Sequence, residues 1–217
     1  MKHLACITIA AVLAMVPALS AAAPADAPER RSGLLSGAGG KPLTLLGHPI
    51  AVGEQAPDFT ALDNSMQPVA LHDYAGKVVI ITSFPSVDTR VCAAQTRAFN
   101  RRAAGIPDVQ VLAVSADLPF ALERFCAAEG IERVRTLSDH RSTDYALKYG
   151  MLIEELRLLA RATVIVDRAG VVRYVEIVPR LGEEPDYDRA IAAAAALAGA
   201  PPAHYALNAT NPSRSTQ

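Results

Sequence analysis

A cysteine at position 92 and a threonine three residues before it are the side chains best suited to chemistry. Both belong to the string FPSVDTRVC, residues 84–92. The apolar run at residues 78–81 predicts a strand before this string, and residues 93–104, without proline or glycine, predict a helix after it. Cys92 then lies in the first turn of that helix, where unpaired N–H groups and the helix dipole favour a thiolate over a thiol. The pattern indicates a reactive cysteine.

A cysteine that attacks peroxides or exchanges disulfides needs donors for a departing oxygen anion and protection from competing chemistry. Thr89, about one helical turn before Cys92, can donate its hydroxyl to such an oxygen. Pro85 has no N–H and fixes the loop over the sulfur, which would limit the access of water. An arginine nearby would add a permanent positive charge.

The second cysteine that matters is Cys126. Residues 1–23 have a short basic start, an apolar stretch and a small-residue end, which predict a signal peptide and export to the periplasm. Cleavage of this signal peptide removes Cys6 and leaves Cys92 and Cys126, which would form either a structural disulfide or a redox pair. Cys126 also shares a predicted helix face with Leu122, so a buried apolar role is open as well.

Composition bounds the class of protein. The 217 residues are 51% hydrophobic and 20% charged, with a net charge of −1 and a pI of about 6.5. One domain is expected, and a nucleic-acid-binding protein is disfavoured because it would carry a basic patch. His72 and His140 have no second ligand at metal spacing, so no metal site is predicted. No stretch after the signal is long enough to anchor the mature chain in a membrane.

The predicted elements alternate between strands and helices. Residues 24–41 are interpreted as an exposed linker, residues 42–199 as the domain and residues 200–217 as a flexible tail. The domain should open with a β-hairpin, residues 43–46 and 49–52, around Gly47 and His48. Further strands are predicted at residues 59–62, 68–71, 78–83, 109–115, 134–137, 161–167 and 171–178. Further helices are predicted at residues 119–128, 143–149 and 185–200.

This order of elements predicts an α/β fold with a mixed central sheet flanked by helices. The last two strands should pair antiparallel. Asp117 is interpreted as the N-cap of the second helix. In such sheets, sites form at the C-terminal ends of the parallel strands, which is where Cys92 falls.

Several blocks of the sequence resemble one family. Pro85-x-x-x-Thr89-x-x-Cys92 resembles the active-site motif of peroxiredoxins, and residues 84–94 are similar to the thiol peroxidase (Tpx) subfamily. Residues 114–121, 124–130 and 159–162 agree with that subfamily. The resemblance extends over about residues 43–198.

The resemblance implies a thioredoxin-like fold and an atypical two-cysteine mechanism without a cofactor. Cys92 would be the peroxidatic nucleophile and Cys126 the resolving cysteine of the same chain. Thr89 and Arg161 would orient the peroxide oxygens, and Pro85 would act as the shield. The substrates would be hydrogen peroxide and organic hydroperoxides, a thioredoxin-like protein would be the reductant, and the family usually forms homodimers.

Two other readings remain open on sequence alone. One is an exported non-enzymatic α/β domain with a structural Cys92–Cys126 disulfide, and the other is a peroxide sensor that relays oxidation to a partner. A thioredoxin-type exchanger is disfavoured because the chain has no Cys-x-x-Cys. A disulfide needs Cα atoms within about 7 Å, so a pair on two helices predicts local unwinding around both cysteines during the cycle.

Overall fold

The computed structural model describes residues 27–199. The predicted signal peptide, residues 1–23, and the predicted tail, residues 200–217, lie outside the described residues. Within the described part, the strands in chain order are β1 Glu29–Ser36, β2 Pro42–Gly47, β3 Thr60–Leu62, β4 Pro68–Ala70, β5 Val78–Ser83, β6 Val109–Ser115, β7 Val134–Ser138, β8 Leu152–Ile153, β9 Leu158–Leu159, β10 Ala162–Val166 and β11 Val172–Ile177. The α-helices are α1 Arg90–Arg102, α2 Pro119–Glu129, α3 Asp144–Lys148 and α4 Tyr187–Ala198.

The central sheet has seven strands in the order β11-β10-β5-β6-β7-β3-β4. Strands β5, β6 and β7 run parallel, with α1 and α2 as the crossover helices. Every residue of β5 is buried, as expected for a β-branched strand covered on both faces of a parallel sheet. The mixed α/β sheet predicted from the sequence is confirmed, as are strands β3 to β7, β10 and β11 and the four helices. Strands β8 and β9 lie outside the predicted elements.

The antiparallel hairpin of β10 and β11 extends this sheet on the other side of β5. Because β10 runs antiparallel to β5, its first residue lies opposite the last residue of β5, with Ala162 paired to Ser83. This register brings Arg161, the residue before β10, to the edge of the sheet from which the Cys92 loop departs. Two chain segments far apart in sequence are thereby joined at one site.

The N-terminal region differs from the sequence-based prediction. Residues 29–36 of the predicted linker form β1, which pairs antiparallel with β2 in a second sheet of order β1-β2-β8-β9. The predicted hairpin partner, residues 49–52, is not a strand. Gly47 explains why, since a Cβ there would lie 2.2 Å from the carbonyl oxygen of Leu147. The chain passes close over α3, and the His48 N–H donates to that same oxygen at 2.7 Å instead of closing a tight turn.

Two apolar cores lie on opposite faces of the central sheet. The second sheet and α3 cover one face, with Leu35 and Leu45 among its buried side chains. Helices α1, α2 and α4 contribute to the other core, where the alanines of α4 allow close packing on the strands. Among residues 27–199, no helix is long and apolar enough to cross a membrane.

Candidate active site

Cys92 lies at the N-terminal end of α1, as predicted. The chain leaves β5 at Ser83, and the Phe84 N–H still donates to the carbonyl of Val114 on β6 at 3.2 Å. Thr89 is the N-cap of α1, and its side-chain oxygen accepts the Cys92 N–H at 3.4 Å. Cys92 therefore lies in the first turn of a helix that is capped by Thr89.

The Cys92 sulfur receives two hydrogen bonds from different parts of the fold. The Thr89 hydroxyl donates to it at 2.8 Å, and Nη2 of Arg161 donates to it at 3.3 Å. Cys92 itself is 0% exposed. A hydroxyl and a guanidinium on one buried sulfur form an environment that favours an anion there, because bonds between charged groups are stronger than bonds between neutral ones.

Arg161 is almost completely buried, at 1% exposure. At a strand end it would ordinarily be an exposed arginine, and the structure instead places it inside the site. Its Nε and Nη2 donate to the carbonyl oxygen of Leu181 at 3.1 and 2.9 Å, and its Nη1 donates to Oε1 of Gln95. None of these partners within residues 27–199 is a carboxylate. Because burying a charge without a counter-ion is costly, an arginine buried in this way indicates a functional role.

Gln95 is a residue of the site that the sequence analysis missed. It is fully buried one helical turn after Cys92, and its side chain connects Arg161 to the last residues of β5. Its Nε2 donates to the hydroxyl of Thr82 at 2.6 Å and to the carbonyl of Ser83 at 3.3 Å. A polar residue on the same helix face as the reactive cysteine is a signal that could have identified it.

A buried tyrosine extends this network behind β5. The hydroxyl of Tyr145 donates to Oγ of Ser83 at 3.4 Å, and Ser83 in turn donates to the carbonyl of Ala160 at 2.9 Å. Burial raises the pKa of Tyr145, so the hydroxyl remains a proton donor at neutral pH. The polar groups behind the site are thus connected to the segment that leads into Arg161.

Asp117 does not cap α2, which corrects the sequence-based interpretation. The N-cap residue is Leu118, without a side-chain cap. The Asp117 carboxylate instead accepts the Val87 N–H and the Ser115 hydroxyl, each at 2.8 Å. One carboxylate therefore connects the middle of the Cys92 loop to the chain just before the helix of Cys126.

Pro85 and Thr89 lie in the same loop with different exposure. Pro85 is buried, whereas Thr89 is exposed. Asp88 and Arg90 are also exposed. Whether Pro85 shields the sulfur stays a prediction.

Cys126 lies on α2 and is partly buried against the second core. Its sulfur is 3.3 Å from the hydroxyl of Thr136 on β7. Both cysteines are free thiols, and their hydrogen-bond partners are different residues. In this structure, Cys92 and Cys126 are therefore not joined by a disulfide and lie in separate surroundings.

The histidines have partners other than metals. His72 pairs through Nδ1 with Asp58 at 2.8 Å, and His140 lies 2.8 Å from the Ser138 hydroxyl. Within the described part of the chain, no group of three or more His, Cys, Asp or Glu side chains is arranged to hold a metal ion.

Comparisons with known proteins give a consistent result. The AhpC/TSA family profile matches residues 52–175, a range that contains Cys92, Cys126 and Arg161. A thiol peroxidase of Halalkalibacterium halodurans is 52% identical over 157 residues, which are 72% of this chain and 95% of that protein. The thiol peroxidase of Bacillus subtilis is 51% identical over 158 residues, 73% of this chain and 95% of the relative. Among solved structures, a peroxiredoxin-like protein from Aquifex aeolicus has a TM-score of 0.72 at 37% identity, covering 76% of this chain and 98% of that one.

Proposed function

This chain belongs to the AhpC/TSA family, and we propose that Cys92 is the residue through which it reduces hydroperoxides. Its relatives at 52% and 51% identity are thiol peroxidases, so it is a peroxiredoxin enzyme with the thioredoxin-like fold, and the alternative of a non-enzymatic domain is wrong. We assign Cys92 as the peroxidatic cysteine and Cys126 as the resolving cysteine. Thr89 and Arg161 orient the peroxide, and a thioredoxin-like dithiol is the reductant.

The pair of hydrogen bonds on the Cys92 sulfur is the observation that carries this proposal. The Thr89 hydroxyl at 2.8 Å and Nη2 of Arg161 at 3.3 Å converge on one atom, so an oxygen bound beside that atom lies within reach of both donors. As the O–O bond lengthens, negative charge develops on the leaving oxygen, and a fixed guanidinium stabilises it without reorganisation. The same donors serve the resting thiolate and the transition state.

The proposed reaction uses the two cysteines, the hydroperoxide, a proton and a dithiol reductant. The Cys92 thiolate attacks one oxygen of the hydroperoxide, an S–O bond forms, and the O–O bond breaks to release an alcohol, or water from hydrogen peroxide, after it takes up a proton. Cys92 is now a sulfenic acid. The Cys126 thiol attacks that sulfur, water leaves, and a Cys92–Cys126 disulfide forms. A dithiol reductant then restores both thiols and is itself oxidised to a disulfide.

The disulfide step demands movement around both cysteines. Cys92 lies in the first turn of α1 and Cys126 near the end of α2, and each sulfur has its own partners in the reduced enzyme. A disulfide needs Cα atoms within about 7 Å, so the first turn of α1 and the end of α2 unwind locally before the bond closes. Hydrogen exchange that is the same around both cysteines in the reduced and oxidised enzymes would contradict this step.

Two cysteine variants test the assignment. Cys92→Ser should abolish hydroperoxide consumption in the presence of thioredoxin and its reductase. Cys126→Ser should react with peroxide once and stop as a Cys92 sulfenic acid, which dimedone traps and mass spectrometry detects.

Wild-type enzyme should show a Cys92–Cys126 bridge only after peroxide. A bridge that is present before peroxide and resists dithiols would overturn the redox role of the pair. Oxidised enzyme that thioredoxin does not reduce, but that transfers its disulfide to another protein, would instead indicate a peroxide sensor.

We also propose that the enzyme is exported and forms a homodimer through the loops around Cys92. Leu118 and Phe120 follow Asp117, whose carboxylate bonds the Cys92 loop at Val87. Their side chains are 51% and 53% exposed, and an apolar surface beside the loop suits contact with a second copy of the chain. Sedimentation of wild type and Phe120→Glu tests the dimer, which the charged variant should weaken. Periplasmic fractionation of the full chain tests export.

A further inference from the structure

We propose that Ser36, the last residue of β1, is a positioning residue for the reaction, because it fixes the backbone carbonyl that orients Arg161. The inference rests on the proposed role of Arg161 at the Cys92 sulfur. It concerns a segment that the sequence suggests is an exposed linker.

Ser36 is joined by three hydrogen bonds to the segment that follows β11. Its N–H and its hydroxyl donate to the carbonyl of Pro179 at 2.8 and 3.2 Å, and its carbonyl accepts the Leu181 N–H at 3.0 Å. Ser36 and Arg180 thereby form a parallel β-bridge. The bridge fixes the backbone on both sides of residue 180, including the peptide that leads to the Leu181 carbonyl.

The Leu181 carbonyl accepts two hydrogen bonds from one guanidinium. Arg161 donates to it through Nε at 3.1 Å and through Nη2 at 2.9 Å. The same Nη2 also donates to the Cys92 sulfur at 3.3 Å. Any rotation of the peptide at residue 181 therefore turns the guanidinium relative to the sulfur.

Apart from the bonds to Ser36 and Arg161, the hydrogen bonds of residues 179–184 are local ones, between Arg180 and Glu183 and from the Tyr187 hydroxyl to Glu184. Pro179, Arg180 and residues 182–184 are exposed, and only Leu181 packs in part against a core. An exposed turn of this kind moves unless its backbone is bonded to the rest of the fold. The anchoring bonds come from Ser36, so β1 supports the site from a distance without contacting Cys92.

The experiment compares Ser36→Pro with Ser36→Ala in the full chain. Proline removes the N–H and the hydroxyl, whereas alanine removes only the hydroxyl and keeps both backbone bonds. Strand β1 is at the edge of its sheet, where proline is tolerated. Misplacement of a reacting group by about 1 Å can cost roughly a hundredfold in rate. We expect Ser36→Pro to lower the second-order rate constant with hydrogen peroxide roughly ten- to a hundredfold, and Ser36→Ala to change it less than about threefold.

A double-mutant cycle separates positioning from general loss of structure. In an Arg161→Met background, Ser36→Pro should cause no further loss of the peroxide rate, because the group through which it acts is gone. A simple decrease in fold stability would instead lower the peroxide rate by the same factor in both backgrounds.

Several outcomes would overturn the inference. An unchanged peroxide rate in folded Ser36→Pro, or an equal loss in the Arg161→Met background, shows that the bridge does not act through Arg161. If Ser36→Pro does not fold, Leu181→Pro removes the opposite half of the bridge, and a full peroxide rate in that variant contradicts the inference. Failure of the proposed function is a separate result, seen as hydroperoxide consumption by Cys92→Ser or an unchanged rate in Arg161→Met.

Discussion

Asp117→Ala should loosen the Cys92 loop without disturbing the rest of the fold. The substitution removes the acceptor of the Val87 N–H and of the Ser115 hydroxyl, both at 2.8 Å. Val87 is only 3% exposed, so little water reaches this part of the loop to replace the bond. A buried donor left without a partner costs about 1–3 kcal/mol. Local opening of the loop should therefore become more frequent by roughly five- to 150-fold.

Hydrogen exchange by mass spectrometry measures this change in the peptide that covers residues 84–92. Asp88→Ala is the matched control, since Asp88 is an exposed carboxylate of the same loop and its side chain makes no hydrogen bond within residues 27–199. Both variants remove one negative charge, but only Asp117→Ala should accelerate exchange. After one equivalent of peroxide, Asp117→Ala should also form the Cys92–Cys126 disulfide faster, because the loop must unwind for that step.

Equal exchange in the two variants would refute the reasoning. So would faster exchange in Asp117→Ala throughout residues 27–199, since a global loss of stability, measured by urea unfolding, would then explain the result. The role assigned to Asp117 requires the change to be confined to the loop and to the start of α2.

Two further predictions follow from buried polar groups. Gln95→Leu removes the acceptor of Nη1 of Arg161, so the guanidinium keeps only its bonds to the Leu181 carbonyl and the Cys92 sulfur. The rate constant with hydrogen peroxide, measured by competition with a haem peroxidase, should fall roughly tenfold or more while the circular dichroism spectrum stays the same. An unchanged rate contradicts this role. Burial raises the pKa of Asp139 to about 6, above its value of 3.8 in the unfolded chain. Between these two pH values the folded state binds more protons than the unfolded state. The free energy of unfolding should therefore fall as pH rises from about 4 to 6. Asp139→Asn should lose that part of the slope, up to about 3 kcal/mol in urea unfolding, and an identical slope in both proteins would be the contrary result.

Much of the fold can be predicted from local patterns. Strand β5 is a continuous β-branched run, and α1 is a stretch free of helix breakers after a threonine cap, so both follow from short-range preferences. Strand β1 could not be predicted in this way. It contains Gly33 at a bulge and only one buried apolar residue, Leu35, and it is a strand because β2 pairs with it.

Some residues of the site can be predicted from local sequence patterns, and others cannot. Thr89 and Cys92 are related by a fixed helical spacing, so the sequence alone relates them. Arg161 depends on the register between β5 and β10, which no local pattern specifies, and only the resemblance to a family identified it. The Leu181 carbonyl is harder still, because any residue type can supply a backbone oxygen.

The antiparallel pairing of β5 with β10 also determines when the enzyme can become active during folding. Ser83 and Ala162 are neighbours in space although residues 84–161 lie between them in sequence. Contacts of such long range form late and slowly, because the entropy of closing the intervening loop must be lost first. Helix α1 is local and can form much earlier. A partly folded chain therefore presents a helix-end cysteine without its arginine, and peroxidase activity appears only after β5 and β10 have paired.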